Sequence, residues 1–125
     1  MFANILSGVS ANNHIEAKIS NSTFINCQDQ GVMFEKGDTE SLLENSTVIL
    51  SESALDIREA QVLAKNNRFC YNSNGIFSAE NCNVTLTENE ISNCKLAAIV
   101  MRPFSQFKLT NNSIKNNATG TSELK

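Results

Sequence analysis

The stretch Val84-Thr85-Leu86-Thr87-Glu88-Asn89-Glu90-Ile91 decides how this chain folds, because its grammar returns at four other places. With Ile91 taken as an anchor, the equivalent anchors are Phe24, Val48, Phe69 and Ile114, evenly spread along the chain. Five residues before each stand Ile19, Leu43, Ala64, Leu86 and Leu109, and seven before stand Ala17, Ser41, Val62, Val84 and Phe107. Two before are Ser22, Ser46, Asn67, Asn89 and Asn112; three before are Asn21, Asn45, Asn66, Glu88 and Asn111. Each unit thus reads apolar-x-apolar-x-Asn-Asn/Ser-x-apolar. One such unit cannot bury its own apolar face and must stack on its neighbours, so a period of about 22 residues predicts a solenoid.

Leucine-rich repeats share part of this core and have to be separated from it. They carry a further Leu ten residues before the anchor, where this chain has His14, Asp38, Glu59, Asn81 and Phe104. Three residues past the anchors stand Cys27, Ser51, Asn72, Cys94 and Asn117, which suit a turn. Short apolar or alternating runs follow, Gly31-Val32-Met33-Phe34, Ala54-Leu55-Asp56-Ile57, Gly75-Ile76-Phe77 and Ala98-Ile99-Val100-Met101, and these read as strands. The unit is therefore strand, Asn-rich corner, short strand, turn, third strand. This resembles the right-handed parallel β-helix repeat of the pectate-lyase-like superfamily over essentially the whole chain. The expected fold is all-β, a single-stranded parallel β-helix of about five rungs.

The asparagines, eighteen in 125 residues, have a physical task in such a fold. A tight corner needs left-handed or bridge backbone geometry, which Asn tolerates well. Rungs lie about 4.8 Å apart, so Asn residues at one corner can bond their side-chain amides along the stack. Asn67, Asn89 and Asn112 are accordingly read as ladder residues. Composition fits one domain over 1–125, with 41% hydrophobic residues and one period throughout. Net charge is −3 and the ten basic residues form no stripe, which argues against a nucleic-acid partner. No apolar run approaches a membrane span. Phe2 stands one period before Phe24 and opens a partial rung, and Thr119-Gly120-Thr121 falls in the third strand of the fifth unit. Solenoid ends are normally capped, so the chain is expected to be a segment of a longer solenoid or to have its ends covered by other polypeptide.

Cys27 and Cys94 share a repeat position three rungs apart, too far for a disulfide. With Cys70, Cys82 and the single His14 they compose no zinc spacing, so four reduced, packed thiols and no metal or cofactor are expected. Together with the absence of a signal-peptide pattern at Met1-Phe2-Ala3 this favours a cytoplasmic or cytoskeletal setting, with secretion left open. The glycosylation sequons at Asn21, Asn45, Asn83, Asn111 and Asn117 are ascribed to the repeat grammar.

The pectinase families imply catalytic options that the residues here do not match. The N-T-D and G-H-G segments of polygalacturonases and the G-x-x-D-F-I-F-G of pectin methylesterases are missing, and Arg102-Pro103 only echoes the pectate-lyase R-x-P-x-x-R. Glycoside hydrolysis needs two carboxylates facing one cleft. Asp38 and Glu59 are the best such pair, and they are read as solvated turn residues rather than as catalytic groups. No catalytic residue is assigned. Outward apolar residues are the remaining lead: Ile25, Ile49 and Cys70 just past their anchors, and Met33, Phe77 and Val100 on the third strand. Ile25, Ile49, Met33, Phe77 and Val100 are the candidate partner surface, for another polypeptide; carbohydrate contact has no motif behind it. The function expected is a non-catalytic scaffold or interaction segment of a larger assembly. A fragment of a polysaccharide-acting enzyme or adhesin, and a viral or phage tail β-helix, are the alternatives.

Overall fold

A computed structural model describes residues 2–3, 7–12, 16–37 and 39–123. All regular structure in these residues is β, arranged as three parallel sheets that each rung visits in turn. The first sheet holds Lys18–Ser20, Ser41–Glu44, Gln61–Lys65, Asn83–Thr87 and Gln106–Thr110. The anchor sheet holds Phe2–Ala3, Thr23–Ile25, Thr47–Ile49, Arg68–Cys70, Glu90–Ser92 and Ser113–Lys115. The third sheet holds Ser7–Asn12, Gln30–Glu35, Ser53–Arg58, Asn74–Ser78, Ala97–Met101 and Thr119–Glu123. The architecture is the parallel β-helix expected from the repeat.

Register follows the repeat residue for residue. Phe2, Phe24, Val48, Phe69, Ile91 and Ile114 are successive partners, as are Ile19, Leu43, Ala64, Leu86 and Leu109. From Phe24 to Ile91 the anchors are completely buried, with Val32, Leu55 and Ile76 packed beside them from the third sheet. Ile19 is half-buried. The expectation of an interior position fails for Leu109 and Ile114, which are 49% and 37% exposed. Both keep their register but stand on edge strands, where only one neighbouring strand covers them. The cross-section is narrow: a Cβ on Gly75 would lie 2.5 Å from both Ala98 O and Ile91 Cγ2, so this position takes no side chain.

The corners explain the asparagines in detail. Asn21, Asn45, Asn66, Glu88 and Asn111 all have φ between 51° and 55°. At such a residue most backbone groups keep bonding to the neighbouring rung, as in Asn45 N–H to Lys65 O and Arg68 N–H to Ser46 O. One N–H and one C=O at this corner instead turn inward; Ser46 Oγ accepts from Ser22 N, and from the rung of Ser46 onward the Asn of the next rung satisfies both. Asn67 Oδ1 accepts from Ser46 N (3.0 Å) while its Nδ2 donates to Leu43 O (2.9 Å). Asn89 does the same for Asn67 N and Ala64 O, and Asn112 for Asn89 N and Leu86 O. Amide-to-amide bonds of 3.0 and 3.1 Å join the three side chains. Asn67 and Asn89 are almost fully buried, so these bonds replace water that cannot enter.

The four cysteines are free and buried. Cys27 and Cys94 occupy one row, with Ser51 and Asn72 in the rungs between them. Burial pushes the Cys94 thiol up to about 11 and raises the Cys27 thiol as well. The protonated form is thus favoured in the folded state. Its contribution is complete below the ordinary thiol value of 9.0 and is lost as pH rises through 9 toward about 11.

Three outcomes are expected. Leu86→Asp abolishes the cooperative unfolding transition, because Leu86 is completely buried and an unpaired charge there has no compensation. Asn89→Ala strands Asn67 N–H and Ala64 O and costs about 2–6 kcal/mol in a urea titration, taking about 1–3 kcal/mol for each orphaned group; a loss under about 1 kcal/mol would refute the ladder's role. Between about pH 9 and pH 11 the urea midpoint declines, and Cys94→Ala flattens that decline. An identical slope in the variant would remove the thiol as its cause.

Candidate interaction surface

On the anchor sheet the residues just past the anchors form one outward row, Ala3, Ile25, Ile49, Cys70, Ser92 and Lys115. Ile25 and Ile49 are half-buried, as a lateral row of aliphatic side chains must be. Cys70 departs from the expectation of an exposed position: it is 1% exposed. Its Sγ lies 3.1 Å from both Glu90 Oε2 and Ser92 Oγ, and Arg68 Nε donates to the same carboxylate at 3.4 Å. Burial, reinforced by the bond to Glu90, raises the thiol, while hydrogen bonds from Cys70 and Ser92 hold Glu90 below the usual carboxylate range. The cluster keeps Cys70 protonated and makes it a poor nucleophile. Here the row turns from apolar to polar.

A second line of corners lies two residues past the anchors: Asn26, Leu50, Tyr71, Asn93 and Asn116, with φ from 55° to 60°. Asn accepts this left-handed geometry readily; a bulky side chain is strained there by about 1–2 kcal/mol. Leu50 and Tyr71 nevertheless occupy it on consecutive rungs, 54% and 55% exposed. With Ile25 they line a groove of about 560 Å³ whose rim includes Gln28, Glu52 and Lys95. Ile25, Ile49, Leu50 and Tyr71 thus form one apolar patch along the corner. The sequence carried a signal for it: Asn recurs at the same offset in three rungs and marks a left-handed corner, against which Leu50 and Tyr71 stand out.

The third-sheet residues expected outward do not form one apolar row. In register the sequence is Ser10, Met33, Asp56, Phe77 and Val100, so Asp56 divides Met33 from Phe77. Met33 and Phe77 are half-buried, and Val100 is only 8% exposed, its short side chain sheltered between two flanking strands. Val100 therefore presents almost no surface to a partner. The Asp56 side chain is 6% exposed and fully engaged. Arg58 grips it through Nε and Nη2, each at 3.2 Å, and Gln30 Nε2 donates at 3.3 Å. Arg102 rests over the Phe77 ring, 5.8 Å from its centroid.

Of the carboxylate pair, Glu59 is an exposed corner residue with φ 48°. Asp38 lies outside the described residues, as does His14. Among the described residues no three His, Cys, Asp or Glu side chains are placed to hold a metal ion. The grooves between rungs are shallow corrugations of the solenoid surface. One polar groove, of about 490 Å³, follows the Asn corner and is lined by Thr47 and by the Arg68–Glu90 ion pair.

No curated protein and no solved structure matches the chain significantly. The family model described as the right handed beta helix region matches residues 7–124, which include all five anchors and both corner ladders. On that match, and with the rung-by-rung register described above, the chain belongs to the right-handed β-helix family.

Proposed function

We propose that the chain is a non-catalytic β-helical scaffold within a larger protein or assembly, holding another polypeptide through the patch Ile25, Ile49, Leu50 and Tyr71. The observation that carries this reading is the choice of residue at the second corner. Three rungs place Asn there, while two adjacent rungs accept left-handed strain and present Leu50 and Tyr71 to solvent. Neither folding nor solubility favours that choice, whereas a contact does. Burying an aliphatic or aromatic side chain contributes roughly 1.5–3 kcal/mol, and Tyr is among the residues that dominate interfaces. The exposed inward side chains of the edge strands, Leu109 and Ile114, offer a second apolar contact by the same reasoning. The carboxylates support no competing hydrolytic reading: Asp56 is locked by Arg58 and Glu59 stands on an open corner.

Leu50→Asn and Tyr71→Asn separate stability from contact. Each is expected to raise the unfolding free energy or leave it unchanged, because Asn relieves the left-handed strain. A photo-crosslinking residue at position 71, introduced in the chain's native setting, is expected to trap a polypeptide, and Leu50→Asn to diminish the yield. The control position is Lys65 on the first sheet. Equal yields from positions 71 and 65 would refute the patch as a contact surface, and turnover of polygalacturonate abolished by Glu59→Gln would refute the non-catalytic reading.

A further inference from the structure

Charge is sorted along the axis of the solenoid. Residues 1–90 hold twelve acidic and five basic side chains, a net −7, and residues 91–125 hold one acidic and five basic, a net +4. Sequence order is axial order in this fold, because each rung pairs with the one before it. The molecule is therefore acidic toward its first rungs and basic toward its last.

The face that bears the Leu50–Tyr71 patch repeats this order. The segments that follow the five anchors there are 25–29, 49–53, 70–74, 92–96 and 115–119, one per rung. Their only charged side chains, in order along the axis, are Asp29, Glu52, Lys95 and Lys115. All four are exposed, and none has an ion-pair partner among the described residues. The middle segment, which holds Tyr71, carries no charge, and the neighbouring Arg68 and Glu90 pair with each other. Apolar exposure gathers on the same face. Of the six large hydrophobic side chains most exposed among the described residues, Leu50, Tyr71 and Leu96 stand in these segments. Leu96 follows Lys95, which together with Glu52 lines the groove of about 560 Å³ beside Leu50 and Tyr71.

Two acids, an apolar centre and two bases make a surface that complements itself when turned upside down. A two-fold axis at the rung of Tyr71 lays this surface on the same surface of a second copy, the isologous contact of a closed homodimer. The rung of Asp29 then faces the rung of Lys115 in the other copy, the rung of Glu52 faces that of Lys95 and Leu96, and Tyr71 faces its own equivalent. Parallel side-by-side pairing sets acid on acid and base on base, which like-charge repulsion disfavours. We infer that this face binds a second copy of the chain in antiparallel orientation, with Glu52 against the other copy's Lys95 and the other copy's Leu96 over the groove beside Leu50. That pairing rests on the contact patch proposed above and gives the patch its occupant.

The test is sedimentation equilibrium of the whole chain at about 0.1 M ionic strength. A dimer is expected, and Tyr71→Asn should weaken it by about tenfold or more. Glu52→Lys sets like charges at both symmetry-related contacts, and so does Lys95→Glu; each alone should weaken the dimer by about tenfold or more. Mixed in equal amounts, the two variants place opposite charges at both contacts again. Their mixed dimer should therefore form about tenfold more tightly than either variant pairs with itself. Circular dichroism confirms that each of these exposed substitutions leaves the fold intact. A chain that stays monomeric at about 1 mM, or a mixture no tighter than its separate components, would overturn the inference. In either case, trapping of a different polypeptide by the crosslinker at position 71 leaves the patch standing as a contact surface, whereas loss of that crosslink as well removes both.

Discussion

A chain that turns a corner through a left-handed residue leaves one N–H and one C=O pointing into the space it encloses, and everything else in this molecule depends on meeting that demand. Buried, such groups cost more than most packing contacts return. Two lines of corners use the same solution. The residue after the left-handed position, supplied by the next rung, carries a primary amide whose oxygen and nitrogen imitate a peptide group. Asn67, Asn89 and Asn112 do this at the first corner, and Asn72 and Asn117 at the second, where they bond Ser51 N and Val48 O, and Cys94 N and Ile91 O. At the third corner the ladder is thinner: Ser105 Oγ reaches Ala79 O at 2.6 Å and Cys82 N at 3.4 Å.

How much of this was legible in the sequence follows from how each corner is stabilised. The first corner was readable because local preference and fold agree there: Asn21, Asn45, Asn66 and Asn111 favour the geometry they hold. Its alternating neighbours, such as Val84 and Leu86, announced the core with period two. The second corner was partly hidden, since Leu50 and Tyr71 have no taste for left-handed backbone and are held there by the rungs on either side. The third was invisible: Lys36, Glu59, Asn81 and Phe104 share the conformation and nothing else. Tertiary pairing overrides propensity at these positions, and no single-residue preference reveals it.

The candidate surface was legible in phase but not in environment. Alternation placed Ile25, Ile49, Met33, Phe77 and Val100 on the outside, and the register agrees. What alternation cannot convey is shelter from the neighbouring strands, which covers Val100, or the polar contacts that draw Cys70 into a cluster with Glu90 and Ser92. The Asp56 interruption was spelled out in Ala54-Leu55-Asp56-Ile57, yet its meaning needed the cross-strand alignment with Met33 and Phe77.

The uniform direction of the interstrand bonds also gives the molecule a mechanical character. Bonds between rungs run along the solenoid axis, so tension applied along that axis loads all three sheets of one rung boundary together. When a boundary yields, a whole rung is released, and about 22 residues of freed chain extend by roughly 70–80 Å. The ladder amides cross the same boundaries and share the load. Under strain such a module lengthens in discrete steps, one rung at a time, as a series of fuses rather than as a spring.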